Sequence, residues 1–136
     1  MRLFLIAPVA LGALMLGSGC GSTAAPASAA LASGAPDQCF LSSRITNYAS
    51  ADDATLYVRT LDRKVFQLDT SGACFNLSMA DQITVQAFNG GSRLCAGDTA
   101  EIRAPGGIGG AQTCRARVAG TLTQEQIDAL PSRARP

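Results

Sequence analysis

Cysteine is the residue type in this chain with the most evident chemistry. Four cysteines form an even set, Cys39, Cys74, Cys95 and Cys114, and Cys20 stands apart near the N-terminus. Thiols can ligate a metal ion, exchange electrons or form disulfides. An even set of cysteines in a small exported domain is typical of disulfide bonding.

The spacing of the four cysteines favours disulfides over the other two chemistries. Consecutive members lie 35, 21 and 19 positions apart. Thiolate zinc sites and thioredoxin-like redox sites use close C-x-x-C pairs, which this chain lacks. We therefore predict a domain held by disulfides and no metal site. Four cysteines allow three pairings, of which the working prediction is the sequential one, Cys39–Cys74 with Cys95–Cys114.

Catalytic combinations of side chains are sparse. The chain has no histidine, which excludes Ser-His-Asp and Cys-His catalysis and imidazole metal ligands. A serine–lysine pair would have to use Lys64, the only lysine, at the edge of a predicted hairpin. The glycine-rich stretch at 105–110 precedes a strand rather than a helix, which favours a hairpin loop over a phosphate site. We predict no catalytic residue and no cofactor.

Carboxylates are the remaining candidates for acid–base work. Most of them lie in predicted turns, where aspartate is expected to bond the local backbone. A glycan hydrolase would need two carboxylates facing each other across a cleft, and no calcium-loop pattern surrounds Asp52 and Asp53. The candidates are Asp52, Asp53, Asp62, Asp69, Asp81, Asp98 and Glu101.

The N-terminal segment predicts export. Arg2 precedes an uncharged, mostly apolar run at 3–16, which is too short to span a membrane. Residues 17–20, Gly-Ser-Gly-Cys, resemble a bacterial lipobox, which implies a signal peptide at 1–20 and lipidation of Cys20. The residue that follows is not aspartate, and by the same resemblance this points to the periplasmic face of the outer membrane. Cleavage after Ala29 is the alternative and would give a soluble periplasmic protein.

Composition separates a tether from a folded domain. Residues 21–37 are rich in Ala, Ser, Gly and Pro and predict a flexible tether. The whole chain carries 11 Lys+Arg against 10 Asp+Glu. This balance argues against a nucleic-acid partner, because phosphate binding needs a basic surface.

Alternation of apolar and polar residues marks the predicted strands. A capping-box pattern, Thr-Gln-Glu-Gln at 123–126, begins a short helix that ends before Pro131, and residues 132–136 are expected to fray. We predict a mainly β domain at 38–131, an antiparallel sheet or barrel of five to six strands with a short C-terminal helix. The alternating segments are 44–48, 55–60, 64–69, 82–87, 93–96, 99–104 and 115–122.

The aromatic residues of the domain fall into a group predicted to be buried and a group predicted to be exposed. Phe40, Phe66 and Phe75 are predicted in the core. Tyr48, Tyr57 and Phe88 are predicted to be exposed, too few to make a sugar-stacking platform.

Several segments of the chain carry a family resemblance. They are CFLSSRI at 39–45, TLYVR at 55–59, VFQL at 65–68, LCAGD at 94–98 and LTQEQI at 122–127. Together they resemble a domain-of-unknown-function family of small exported proteins, often predicted lipoproteins, of Gram-negative bacteria. The resemblance covers roughly residues 38–131 and implies export, disulfides and these domain limits, but no activity.

The leading functional hypothesis is a non-enzymatic envelope protein that binds another envelope component. Its membrane contact is the N-terminal lipid anchor. One alternative is an inhibitor of a hydrolase that inserts the loop at 105–110 or at 52–53. The other is a carboxylate-dependent glycan hydrolase using Asp98 or Glu101.

Overall fold

The computed structural model describes residues 36–72, 74–105 and 110–136. The predicted signal peptide, Cys20 and nearly all of the tether lie outside the described residues. Within them the chain forms eight strands and one α-helix. The strands are β1 Cys39–Leu41, β2 Ile45–Ala49, β3 Thr55–Thr60, β4 Val65–Thr70, β5 Thr84–Ala87, β6 Arg93–Cys95, β7 Thr99–Pro105 and β8 Ala111–Thr121, and the helix is α1 Gln124–Ala129.

Six of these strands form one antiparallel sheet in the order β2-β3-β4-β8-β7-β5. The sheet curves into a half-barrel. Strands β1 and β6 form a separate two-stranded ribbon. The predicted mainly β class, with antiparallel strands, one short helix and disulfides, is confirmed.

The inner face of the half-barrel is the hydrophobic core. Side chains alternate along each strand, so Ala100, Ile102 and Ala104 of β7 are all buried while their neighbours are not. The ribbon covers this face, because Phe40 of β1 and Leu94 of β6 belong to the same buried cluster. The alternation in the sequence therefore identified the buried face of β7 correctly.

Strand β1 is an element that the periodicity did not predict. It has three residues, too few for a period-two pattern to stand out. Its register with β6 pairs Cys39 with Cys95 and Leu41 with Arg93. Pairing with β6, which is distant in sequence, is what makes the segment a strand.

Phe75 is not a core residue, contrary to the prediction. Phe40 and Phe66 are buried with ring centroids 4.6 Å apart, but Phe75 is 65% exposed. The backbone after Phe75 turns through Asn76, which has a φ of 60°, and this places Leu77 in the core instead. Among the residues predicted to be exposed, Phe88 is exposed; the two tyrosines are half-buried.

The C-terminal helix begins with the predicted capping box. The Thr123 side chain accepts a hydrogen bond from the Gln126 amide, and the Gln126 side chain accepts one from the Thr123 amide. Residues 132–136, expected to fray, instead form a short 3-10 helix at Ser132–Ala134. Ala134 is fully buried and Arg135 Nε donates to the Leu130 carbonyl over 2.8 Å, so the tail packs against the domain.

Candidate functional site

Two disulfides are present, but the predicted sequential pairing is wrong. Cys39 bonds to Cys95 and Cys74 bonds to Cys114, each with an S–S distance of 2.07 Å. The reason is which strands pair with each other. Strand β1 pairs with β6, which sets Cys39 opposite Cys95, and β4 pairs with β8, which brings the segment after β4 to β8.

The Cys74–Cys114 bond fixes the connection between β4 and β5 to the sheet. Cys74 is fully buried, and its amide donates to the Asp53 carbonyl over 3.0 Å. The neighbouring Leu77 is 1% exposed and lies in the core. The bond therefore holds a segment that has little regular structure of its own.

The two edge strands of the sheet, β2 and β5, face one cleft. Within the part of the chain that the structure describes, each of these strands has one neighbour in the sheet. The cleft has a volume of about 400 Å³ and is lined by residues 42–43, 45–48 and 83–85. We call this cleft the seam, because it is where the half-barrel stays open.

The seam is uncharged and partly bridged by Tyr48. Its lining consists of serine, threonine, asparagine, tyrosine, isoleucine and valine side chains. The Tyr48 hydroxyl donates to the Ala80 carbonyl over 2.8 Å, which links β2 to the segment before β5. Burial, and secondarily the carboxylate of Asp81, raises the pKa of the Tyr48 hydroxyl, so it remains a neutral donor.

On the outer edge of β2, the backbone amide of Tyr48 bonds to a neighbouring side chain rather than to another strand. The Tyr48 amide donates to Oδ1 of Asn47, its neighbour in sequence, over 2.9 Å. Such side-chain bonds offer the backbone an alternative to strand pairing. The seam thus presents a strand edge without a partner strand among the described residues.

A second pocket lies between the β1–β6 ribbon and the β3–β4 hairpin. Its volume is about 240 Å³. Side chains of both signs line it, together with apolar groups of β1. The 3-10 helix Ser42–Arg44 separates it from the seam, since Ser42 and Ser43 line the seam and Arg44 lines this pocket.

Two of the turn carboxylates that were candidates for catalysis, Asp52 and Asp98, accept hydrogen bonds from nearby backbone amides. Asp52 Oδ1 accepts from the amides of Ala54 and Thr55, each over 2.8 Å. Asp98 Oδ2 accepts from the Cys95 amide over 2.7 Å. These bonds close turns, which is the role that aspartate often has there.

Glu101 and Lys64 are also engaged in ion pairs. Glu101 Oε1 lies 2.8 Å from a guanidinium nitrogen of Arg103. Lys64 Nζ lies 2.8 Å from Asp37 Oδ1, and this hydrogen bond raises the pKa of the lysine. Residues 106–109 of the glycine-rich loop lie outside the described residues.

The described part of the chain offers few other sites. Within it, no three or more His, Cys, Asp or Glu side chains are grouped closely enough to hold a metal ion. Across residues 36–72, 74–105 and 110–136, no helix has the length and hydropathy needed to cross a membrane.

The fold and the disulfides define a small, disulfide-bonded antiparallel β domain. The chain belongs to a family of unknown function, DUF6491, whose model matches residues 1–135. This confirms the resemblance to a domain-of-unknown-function family. No curated protein and no solved structure matches the chain significantly.

Sequence reasoning found the cysteines of the site but not the seam. Strands β2 and β5 were both predicted, at 44–48 and 82–87, yet nothing local marks them as edges. Their position follows from the order of all six strands in the sheet. The sequence feature that bears on the seam is composition: apart from Arg44, the segments 44–48 and 82–87 contain no charged residue.

Proposed function

We propose that this protein is an exported, non-enzymatic binding module that accepts an extended segment of an envelope protein at the seam. The mature chain is anchored through a lipid on Cys20 to the periplasmic face of the outer membrane. The single observation that carries the binding proposal is that β2 and β5, which have no partner strand on their outer edges among the described residues, face one uncharged cleft.

Strand addition is the recognition mode that fits this cleft. A sheet edge offers backbone donors and acceptors that an extended peptide can pair with, and side-chain pockets then supply specificity. The lining of the seam carries no charge, so the occupant is an extended segment of uncharged side chains. On binding, the Tyr48 amide would exchange its bond with Asn47 for a backbone bond.

Export is supported by the covalent chemistry of the domain. Two disulfides in a small β domain persist in an oxidising compartment and are rare in the cytoplasm. The signal-like segment and the lipobox-like residues 17–20 add the lipid anchor.

The anchor predicts the intact mass of the mature protein from native membranes. We expect a chain that begins at Cys20, carries acyl groups and gains four alkyl groups only after reduction, one for each cysteine of the two disulfides. A lipid-free mass beginning near Ala30 would contradict the anchor. Alkylation of all four thiols without reduction would contradict the disulfides.

The seam predicts a site-specific cross-link. A photoreactive p-benzoylphenylalanine placed at Thr46, which lines the seam, is expected to capture one envelope protein in living cells. The same photoreactive residue at Thr113, an exposed position of β8, serves as the matched control. We expect that it does not capture the protein that is cross-linked from position 46. A synthetic peptide from the captured segment should then slow hydrogen exchange of the amides at 45–48.

An edge substitution completes this test. Asn47→Lys places a charge on the edge of β2, a device that blocks strand addition, and is expected to remove the adduct at Thr46. Thr113→Lys should leave that adduct unchanged. Equal adducts at both positions, no adduct, or only adducts between two copies of this chain would each contradict the proposal.

A further inference from the structure

The pocket between the β1–β6 ribbon and the β3–β4 hairpin has the features of a small-ligand site separate from the seam. Two arginines, Arg44 and Arg93, line it from different elements. Neither guanidinium makes a hydrogen bond or an ion pair with any of the described residues. Among the other described arginines, Arg103 pairs with Glu101, Arg115 lies 4.4 Å from the centroid of the Phe88 ring, and Arg135 donates to two backbone carbonyls.

The carboxylate of Asp62 lies in the pocket and reduces the negative charge that a ligand of the pocket can carry. Asp62 Oδ1 accepts from the Thr60 hydroxyl over 2.6 Å, and this bond is the main cause that lowers the pKa of Asp62, with Lys64 and Arg44 adding to it. Asp62 is therefore ionised at neutral pH. With two guanidiniums and one carboxylate, the lining has a net charge of +1, which matches a monoanion better than a doubly charged phosphate.

The rest of the lining is apolar. Phe40 and Leu41 of β1 form this part, and Leu41 is 39% exposed, so its side chain is accessible. Leu41 lies directly opposite Arg93 in the register of the ribbon, which sets an apolar side chain beside a guanidinium. A ligand that fits both carries an alkyl group next to its anionic group.

We propose that this pocket binds a carboxylate attached to an apolar group, as in the C-terminal residue of a peptide or a free branched-chain acid. The carboxylate is bound by Arg44 and Arg93, since arginine donates paired hydrogen bonds to carboxylates. The alkyl group packs against Phe40 and Leu41. The site is independent of the strand-binding seam, and neither proposal requires the other.

The test is a titration of the ¹⁵N-labelled mature protein with small probes. N-acetyl-leucine is expected to shift the amide signals of residues 39–44, 60–62 and 93, with a Kd on the order of 1 mM for a ligand of this size. N-acetyl-leucinamide, which has no carboxylate, should bind at least about tenfold more weakly. 4-Methylpentanoate has the same alkyl group and carboxylate without the amide. Binding of both acids identifies the shared chemistry, and binding of N-acetyl-leucine alone identifies a peptide C-terminus.

Matched variants decide whether the arginines do the binding. Arg44→Gln and Arg93→Gln are each expected to weaken N-acetyl-leucine binding about tenfold, because each removes a charged hydrogen-bond donor. Arg117→Gln, an exposed arginine of β8 outside this pocket, should leave the affinity within about twofold. The amide spectrum of each variant checks that it is folded. Equal binding of the acid and the amide, no shift at these residues, or an equal loss in Arg117→Gln would overturn the proposal.

Discussion

Replacing Phe66 with alanine is expected to lower the free energy of unfolding by about 3 to 5 kcal/mol. Phe66 is 1% exposed and its ring lies 4.6 Å from that of Phe40, centroid to centroid. Truncation removes this contact and leaves a cavity between the sheet and the β1–β6 ribbon. The Cys39–Cys95 disulfide restrains the ribbon, which limits how far it can move to fill the cavity. Urea denaturation followed by circular dichroism measures the change.

Phe75→Ala is the matched control for this prediction. The side chain of Phe75 is 65% exposed, so its removal is expected to change the free energy of unfolding by no more than about 0.5 kcal/mol. The Phe75 carbonyl, which accepts a hydrogen bond from Gln112, is kept in the variant. A large loss with Phe75→Ala and a small one with Phe66→Ala would contradict the arrangement of the core described above.

Removal of the Cys74–Cys114 disulfide is expected to cost about 4 kcal/mol of stability in the chain-entropy model. The two cysteines are separated by 40 positions, so the bond restricts a long loop of the unfolded chain. Cys74 is also fully buried beside the core. The double variant Cys74→Ala/Cys114→Ala should therefore unfold at a much lower urea concentration than the parent protein. Part of the lost stability should come from weaker packing of Leu77, which follows Cys74 in the same segment.

A single cysteine variant tests the pairing itself. In Cys114→Ala the structure leaves Cys74 without its partner, while Cys39 and Cys95 stay bonded. Alkylation of the unreduced, denatured protein followed by peptide mapping is expected to label Cys74. Label on Cys95 would instead support the sequential pairing and contradict the structure. In the parent protein, no label is expected on these four cysteines before reduction.

Local pattern was enough to predict most of the strands. In β7 and β8 the alternation placed Ala100, Ile102, Ala116 and Val118 on the buried face, and all four are 0% exposed. Period-two alternation works here because each strand has one face on the core and one face in solvent. The capping box at Thr123 was predictable for a similar reason, since its two hydrogen bonds join residues only three positions apart.

Contacts between distant segments were not predictable from such patterns. Strand β1 is too short to show alternation, and it exists because β6 pairs with it. Phe75 and Leu77 are both apolar, and the turn at Asn76 decides which of them enters the core. The tail packs against the domain through the fully buried Ala134, and Arg135 adds hydrogen bonds to the nearby carbonyls of Leu130 and Asp128.

Composition and short-range periodicity were sufficient to predict a β domain with an even set of cysteines and no histidine-based chemistry, because both can be read from residues close together in the chain. The disulfide pairing, and the position of β2 and β5 as edge strands facing the seam, became known from the folded arrangement alone. Both depend on which strands pair, in the β1–β6 ribbon and in the order of the six-stranded sheet. That order is set by packing among residues far apart in the chain, which no local window of sequence contains.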